Sequence, residues 1–291
     1  MAFDIRPLHP LFGAELRADP ASTDPATIKA IEAAAGRYGL VLLRDAALDD
    51  AGLVRFAARF GPLQTMANFA GDERHVVRVT NIGADGGIKP EDDDGRRLFD
   101  ANLHWHVDSS FMAPGATFSF LHARIVPNEG GDTQFCDNRA TWDALDPEQK
   151  DRLSGLAAIH SLAHSRKLTG YDLADPSAVP SVRRRLVRHH WPSGRNALIL
   201  ASHVERIDGI KRKESTALLA DLTALATAPE RIYSHRWRAG DLLVWDNRCI
   251  MHRATPFASL DEPRDLRSAR VIDVEDDGLI AGAGSTVAAQ R

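Results

Sequence analysis

"LHWHVDSSF", residues 103–111, carries two histidines and an aspartate within five positions. On an extended chain successive side chains alternate between faces, so His104, His106 and Asp108 share one face while Trp105 and Val107 share the other. An imidazole and a carboxylate then stand side by side, as two ligands of one metal ion would. A lone His-x-Asp is a weak signal, because roughly one arises by chance in a chain of this composition. A solvated strand face would read the same way. A third ligand and a scaffold must come from elsewhere in the chain.

Outward from this stretch the texture is one of short strands. "ATFSFLHARIV" and "DTQFCD" follow it, set off by Pro114-Gly115 and Gly130-Gly131. Further on, "RLVRHHW" turns through Pro192-Ser193-Gly194 into "NALILAS", a hairpin pattern, and "LAAIHSLAH" reads as a strand. "IYSHRWRAGDLLVWDNRCIMHRATPF" and "RDLRSARVIDV" are strands again. Helices are expected from Asp24-Pro25 onward, with Ile28, Ile31 and Ala35 as the apolar stripe, and from Asp49 to Gly61-Pro62. Two more are expected, over 138–155 and in "KESTALLADLTALAT" with Leu218, Leu222 and Leu225 aligned. "YGLVLLRD" and "RHVVRVTNIG" are strands, and the acidic, Gly-rich segment 83–97 a mobile surface loop. The chain is therefore expected to be mainly β with flanking helices, a barrel or two-sheet jelly roll. With no repeat or low-complexity linker it reads as a single domain over 1–291, with a helical insertion at about 138–230.

Composition narrows the function classes. A hydrophobic content of 44% and a net charge of −4 describe a globular protein and argue against nucleic-acid or anionic-membrane partners. The basic run "VRRRLVRHH" lacks the interleaved aromatics of a nucleic-acid surface and reads as a strand with a basic outer face. Cys136 and Cys249 are too few for a disulfide framework, and neither a signal peptide nor a membrane span is evident, so a cytoplasmic protein is expected.

A barrel brings distant strands together, so the third ligand is sought far along the chain. His252, after "WDNRCIM", lies 146 residues beyond His106 (252−106) and is the best candidate. Two His and one carboxylate on one face of a metal leave three positions open, the arrangement of non-haem Fe(II) oxygenases. His203 and Glu205, in "HVE", repeat the geometry but lie only 49 residues before His252 (252−203). Ser109 and Ser110 beside Asp108 do not make a hydrolase, since no Gly-x-Ser-x-Gly elbow accompanies them.

Several separate motifs, in order, resemble one family. "FGPL", "VTNIGADG", "NLHWHVDSSF", "VPNEGGDTQFCDNRATWDAL", "HRWRAGDLLVWDNRCIMHRATPF" and "RDLRSAR" resemble the Fe(II)/2-oxoglutarate-dependent dioxygenases of the taurine dioxygenase group, nearest its 2,4-dichlorophenoxyacetate (aryloxyalkanoate) branch. The likeness covers about residues 35 to 275. It implies a double-stranded β-helix core of the cupin type. It implies Fe(II) on His106, Asp108 and His252, with 2-oxoglutarate and O2 as cosubstrates, Thr133 hydrogen-bonded to 2-oxoglutarate, and Arg264 paired with its distal carboxylate. A planar guanidinium suits that last role, gripping a carboxylate through two parallel bonds. Asn102 matches a position lining the substrate pocket.

One position departs from the pattern. Where taurine and phenoxyacetate members carry a second arginine for the substrate anion, this chain has Ser268. Arg270 lies on the same strand face and is the first substitute, with Lys89, Arg96 and Arg97 from the loop behind it. Arg267 and Arg270 are the nearby alternatives to Arg264 for the 2-oxoglutarate carboxylate, but Arg267 falls on the strand face opposite Arg264, which suits a surface role. The expected reaction is hydroxylation of a small aryloxyalkanoate whose ether then cleaves, with release of succinate and CO2. A taurine- or alkylsulfate-like substrate and an uncharged natural product are the alternatives within the family. Outside it stand a zinc hydrolase and a non-catalytic metal-binding barrel. The partner expected is a small molecule, with self-association left open.

Overall fold

The structure, a computed structural model, describes residues 4–22, 24–65, 74–93, 96, 100–276 and 278–280. Its strands in chain order are β1 (Ile5–Pro7), β2 (Ala14–Leu16), β3 (Leu40–Leu43), β4 (Val77–Thr80), β5 (Ala116–Ile125), β6 (Thr133–Asp137), β7 (Ala157–His160), β8 (Val182–Arg185), β9 (Val187–His190), β10 (Arg195–Leu198), β11 (Val204–Ile207), β12 (Tyr233–His235), β13 (Leu242–Asp246), β14 (Ile250–Ala254) and β15 (Asp265–Ile272). Seven form one sheet in the order β1-β2-β3-β13-β5-β15-β4. Facing it is a smaller sheet, β12-β6-β14. The order shuffles early and late strands, as a double-stranded β-helix requires.

Alternation along the strands sorts the core into layers. Leu121, Ala123, Leu243, Trp245 and Leu266 of the large sheet meet Phe135 and Ile250 of the small one, and this inner layer is the barrel. Phe118, Phe120, Leu242, Val244, Ala269 and Val271, one residue out of phase, face the other way. Against them lie α1 (Pro25–Tyr38) and α2 (Asp50–Ala57), capped by Asp24 and Asp49 through their side-chain oxygens as the sequence suggests. Residues 138–226 cover the far side of the small sheet with α3 (Asn138–Asp143), α4 (Pro147–Ser154), α5 (Leu162–Lys167), α6 (Arg212–Ala226) and β7 to β11. Among the described residues no helix is long and apolar enough to cross a membrane.

Three expectations fail locally. The helix expected over 138–155 is broken before Asp146, which caps α4 afresh with its side chain. "LHWHVDSSF" is not a strand: one bridge joins His106 to His252 at the edge of β14, and the chain turns from Asp108 onward. Ser109, at a φ of 56°, breaks the extended run. "LAAIHSLAH" is strand only to His160, because Ser161 accepts from the His164 N–H and starts α5.

Candidate metal centre

His252 sits in the middle of β14 and His106 directly across the edge, each backbone N–H bonding the other's carbonyl at 2.8 and 2.9 Å. That two-way bridge sets the imidazole rings 4.1 Å apart, centroid to centroid. Asp108, two residues on, brings its carboxylate 3.9 Å from His106 Nε2 and 4.0 Å from His252 Nε2. All three side chains are buried and their ligand atoms lie within 4.8 Å of one another.

The surroundings prepare these groups as donors to a cation. His106 Nδ1 donates to the His104 carbonyl at 2.8 Å, which leaves the lone pair on Nε2, facing Asp108. The His252 ring is stacked on Phe135 and tilted against Trp245. Its Nδ1 is buried with no hydrogen-bond partner among the described residues. Burial lowers the pKa of His106, and burial with the neighbouring His106 ring pushes His252 down to about 3, so both rings are neutral. Burial alone would raise the Asp108 carboxyl, but Arg270, His252, His106 and the Ser119 hydroxyl outweigh it and hold it well below the usual carboxylate range. Two neutral imidazoles and one ionised carboxylate fit a divalent cation, and their types are those of the two-histidine, one-carboxylate oxygenase triad.

The same cavity is lined by Thr133, Arg264, Ser268, Arg270 and Asn102, every other site residue expected from the sequence. Arg264 is buried where β15 begins, Nε and Nη2 donating to the Gly131 carbonyl at 3.2 and 3.0 Å. Burial lowers its pKa to about 10, Asp132 opposing, so the guanidinium is charged at neutral pH. The Thr133 hydroxyl accepts from Trp237 Nε1 at 3.0 Å, which leaves its own proton to donate. Arg270 reaches Asp108 Oδ1 with Nη2 at 3.0 Å.

The other cations go elsewhere. Arg267, on the outer face as expected, pairs with Asp50 and Asp265. Lys89 lies 3.9 Å from Asp93, and Arg96 bonds the Lys89 carbonyl and Ser259. Arg97 lies outside the described residues. His203 stands 6.1 Å from the His106 ring and bonds Ser110, while Glu205 pairs with Arg206, so "HVE" assembles no second triad. His190, Asp246 and Cys249 also cluster. Arg248 already takes both oxygens of Asp246, however, and His190 takes one of them.

Sequence reading missed the groups that hold Asp108. Ser119 donates to Asp108 Oδ2 at 2.7 Å, and Asn247 accepts the Asp108 N–H while donating to Ser119. A signal existed for Ser119, a polar residue on the inward phase of the apolar strand β5.

The chain has clear relatives. The family model for taurine catabolism dioxygenase TauD, TfdA family matches residues 4–270. The chain is 38% identical to the alpha-ketoglutarate-dependent 2,4-dichlorophenoxyacetate dioxygenase of Cupriavidus pinatubonensis, over 94% of this chain and 99% of that one. It is 38% identical to the (S)-phenoxypropionate/alpha-ketoglutarate-dioxygenase of Sphingobium herbicidovorans, over 88% of this chain and 90% of that one. A crystal structure of AAD-2 in complex with Mn(II) and N-oxalylglycine superposes with a TM-score of 0.89 at 34% identity, covering 97% of this chain and 100% of that one.

Proposed function

The chain belongs to the TauD/TfdA family of dioxygenases, and on that premise we propose that it uses Fe(II), 2-oxoglutarate and O2 to hydroxylate a small aryloxyalkanoate beside its ether oxygen. The resulting hemiacetal collapses and the ether cleaves, while 2-oxoglutarate leaves as succinate and CO2. The observation that carries the reading is the meeting, on one cavity, of the buried side chains His106, Asp108 and His252 with Thr133 and Arg264. A zinc hydrolase or a metal store would have no use for that clamp.

His106, Asp108 and His252 would hold the metal, which when bound supplies the oxidising chemistry. The remaining work belongs to the chain. Arg264 grips the distal carboxylate of 2-oxoglutarate in a low-dielectric setting where the pairing is strong. Thr133 donates its remaining proton to a cosubstrate oxygen. Val79, Leu121 and Trp245 wall the cavity and keep water from the reacting carbon. Arg270 supplies the cation that Ser268 lacks: it lies on the same face of β15 and meets the substrate carboxylate. Two free, buried cysteines suit a reducing compartment and support a cytoplasmic location.

The test is anaerobic addition of Fe(II) and 2-oxoglutarate, which should give the visible charge-transfer band of a chelated keto acid. With O2, phenoxyacetate or phenoxypropionate should stimulate succinate release. Both signals vanish in His106→Ala and His252→Ala. Arg270→Ala lowers kcat/KM for the aryloxy acid about tenfold or more, the worth of a lost charge-assisted bond. Zinc-supported turnover without the band sinks the oxygenase reading. Coupling to a neutral compound and to no aryloxy acid sinks the substrate class alone.

A further inference from the structure

Asp108 is followed at once by a turn whose conformation the chain does not favour by itself. Ser109 is buried with a φ of 56°, a left-handed conformation that side-chain-bearing residues adopt only where their surroundings impose it. Its hydroxyl donates to Gln64 Oε1 at 2.7 Å, and the Ser110 hydroxyl meets His203 Nδ1 at 3.0 Å. The strongest restraint comes from further away. Arg184, on β8, is buried with its guanidinium under the turn. Nε donates to the Ser110 carbonyl at 2.7 Å, Nη2 to the Met112 carbonyl, and Nη1 pairs with Asp276. Asp276 Oδ2 in turn accepts from the Gly115 N–H at 3.1 Å, where the turn ends and β5 begins.

Asp276 belongs to a strap that follows β15 and lies along β8. Leu279 bridges Arg184, the Arg185 N–H bonds the Gly278 carbonyl at 2.7 Å, and the Ile280 N–H bonds the Arg183 carbonyl at 2.9 Å. The Asp273 N–H reaches the Gly115 carbonyl at 2.9 Å. Three segments far apart in sequence therefore meet at one guanidinium: the turn after Asp108, β8, and the strap after β15. A rigid fork of donors can hold several acceptors in fixed relation, which a flexible ammonium would not.

We propose that Arg184, held by Asp276, is a positioning residue for the candidate metal centre, fixing the turn so that the Asp108 carboxylate faces the two imidazoles. This rests on the reading of His106, Asp108 and His252 as metal ligands. Among the described residues no hydrogen bond or ion pair joins Arg184 to any of the three side chains, so its effect reaches the site through the backbone of residues 108–112. Losing a partner bonded directly to a ligand weakens metal binding about 10- to 100-fold, and Arg184, one step further out, belongs at the lower end of that range.

The experiment compares wild type, Arg184→Met, Asp276→Asn and a surface control, Arg183→Gln, whose partner Asp208 is about as exposed as itself. Mn(II) affinity is read from the electron paramagnetic resonance of the free ion, and amide hydrogen exchange over residues 108–112 is read in the metal-free protein. Arg184→Met should raise the Mn(II) Kd about tenfold and speed exchange in the turn. Asp276→Asn should act in the same direction and, being isosteric, carries the test if Arg184→Met fails to fold. Arg183→Gln should match wild type. In the Mn(II)-loaded variants 2-oxoglutarate affinity should not change, because Arg264 and Thr133 do not touch the turn. Wild-type Mn(II) affinity and exchange in both Arg184→Met and Asp276→Asn would overturn the proposal. Failure of wild type itself to take up Mn(II) would instead overturn the metal reading, and the exchange data would then decide on the turn.

Discussion

Arg264, just before β15, and Arg267, within it, stand three residues apart and have opposite surroundings. Arg264 lies buried in the cavity, and Arg267 pairs with Asp50 of α2 on the outer face. Arg264→Ala removes a charge-assisted grip worth about 1.5–3 kcal/mol, so the 2-oxoglutarate KM should rise roughly ten- to a hundredfold. Arg267→Ala should leave it unchanged, and steady-state titration of the cosubstrate in both variants checks the pair. This much is legible from the sequence, because side chains on a strand alternate with a period of two. The hydrogen bonds holding Asp108 are not legible. Ser119 and Asn247 lie 11 and 139 residues from it in the chain, and only the pairing of β5 with β13, together with the turn that follows β13, brings them to it.

Helix ends and strand starts carry the same lesson for elements. Asp24 and Asp49 cap α1 and α2, and both caps can be read from residue type because the hydrogen bond is local. Gly39, between α1 and β3, is a different kind of constraint. Its φ is 77°, and a Cβ there would sit 2.7 Å from Ile250 Cδ1 and 2.8 Å from Arg139 Nη2. Gly39→Ala should therefore cost about 2–4 kcal/mol, from the left-handed backbone and the overpacking together. Urea unfolding should show a lower midpoint at an unchanged slope. A residue-type reading sees a glycine that ends a helix; the contact with β14 is invisible to it. The strand expected over "LHWHVDSSF" failed for a related reason. The turn at Ser109 is imposed by Gln64, His203 and Arg184, none of them local.

At the scale of the whole molecule, burial sets the response to acid. His160 is fully buried, and neither ring nitrogen has a hydrogen-bond partner among the described residues. Burial, helped by the Arg184 charge, pushes its pKa down to about 3. The unfolded chain holds this histidine near 6.5, so between those values it binds a proton that the folded one refuses. Stability therefore falls as pH drops from about 6.5 toward 3, by about 1.4 kcal/mol per unit from this group. His160→Leu should remove that slope: between pH 7 and 5 wild type should lose about 2 kcal/mol more than the variant in urea unfolding. By itself the sequence determined the strand alternation, the caps and the motif set, since these depend on residue type and near neighbours, and the resemblance those motifs carry pointed to His106, Asp108, His252, Thr133, Arg264 and Asn102. Tertiary structure alone decided that His106 and His252, 146 residues apart (252−106), share one bridge. It also decided that Arg270 reaches Asp108, and that Arg184 and the strap after β15 hold the turn between them. Those distances are set by strand order and register, to which every strand of the barrel contributes and which no local stretch encodes.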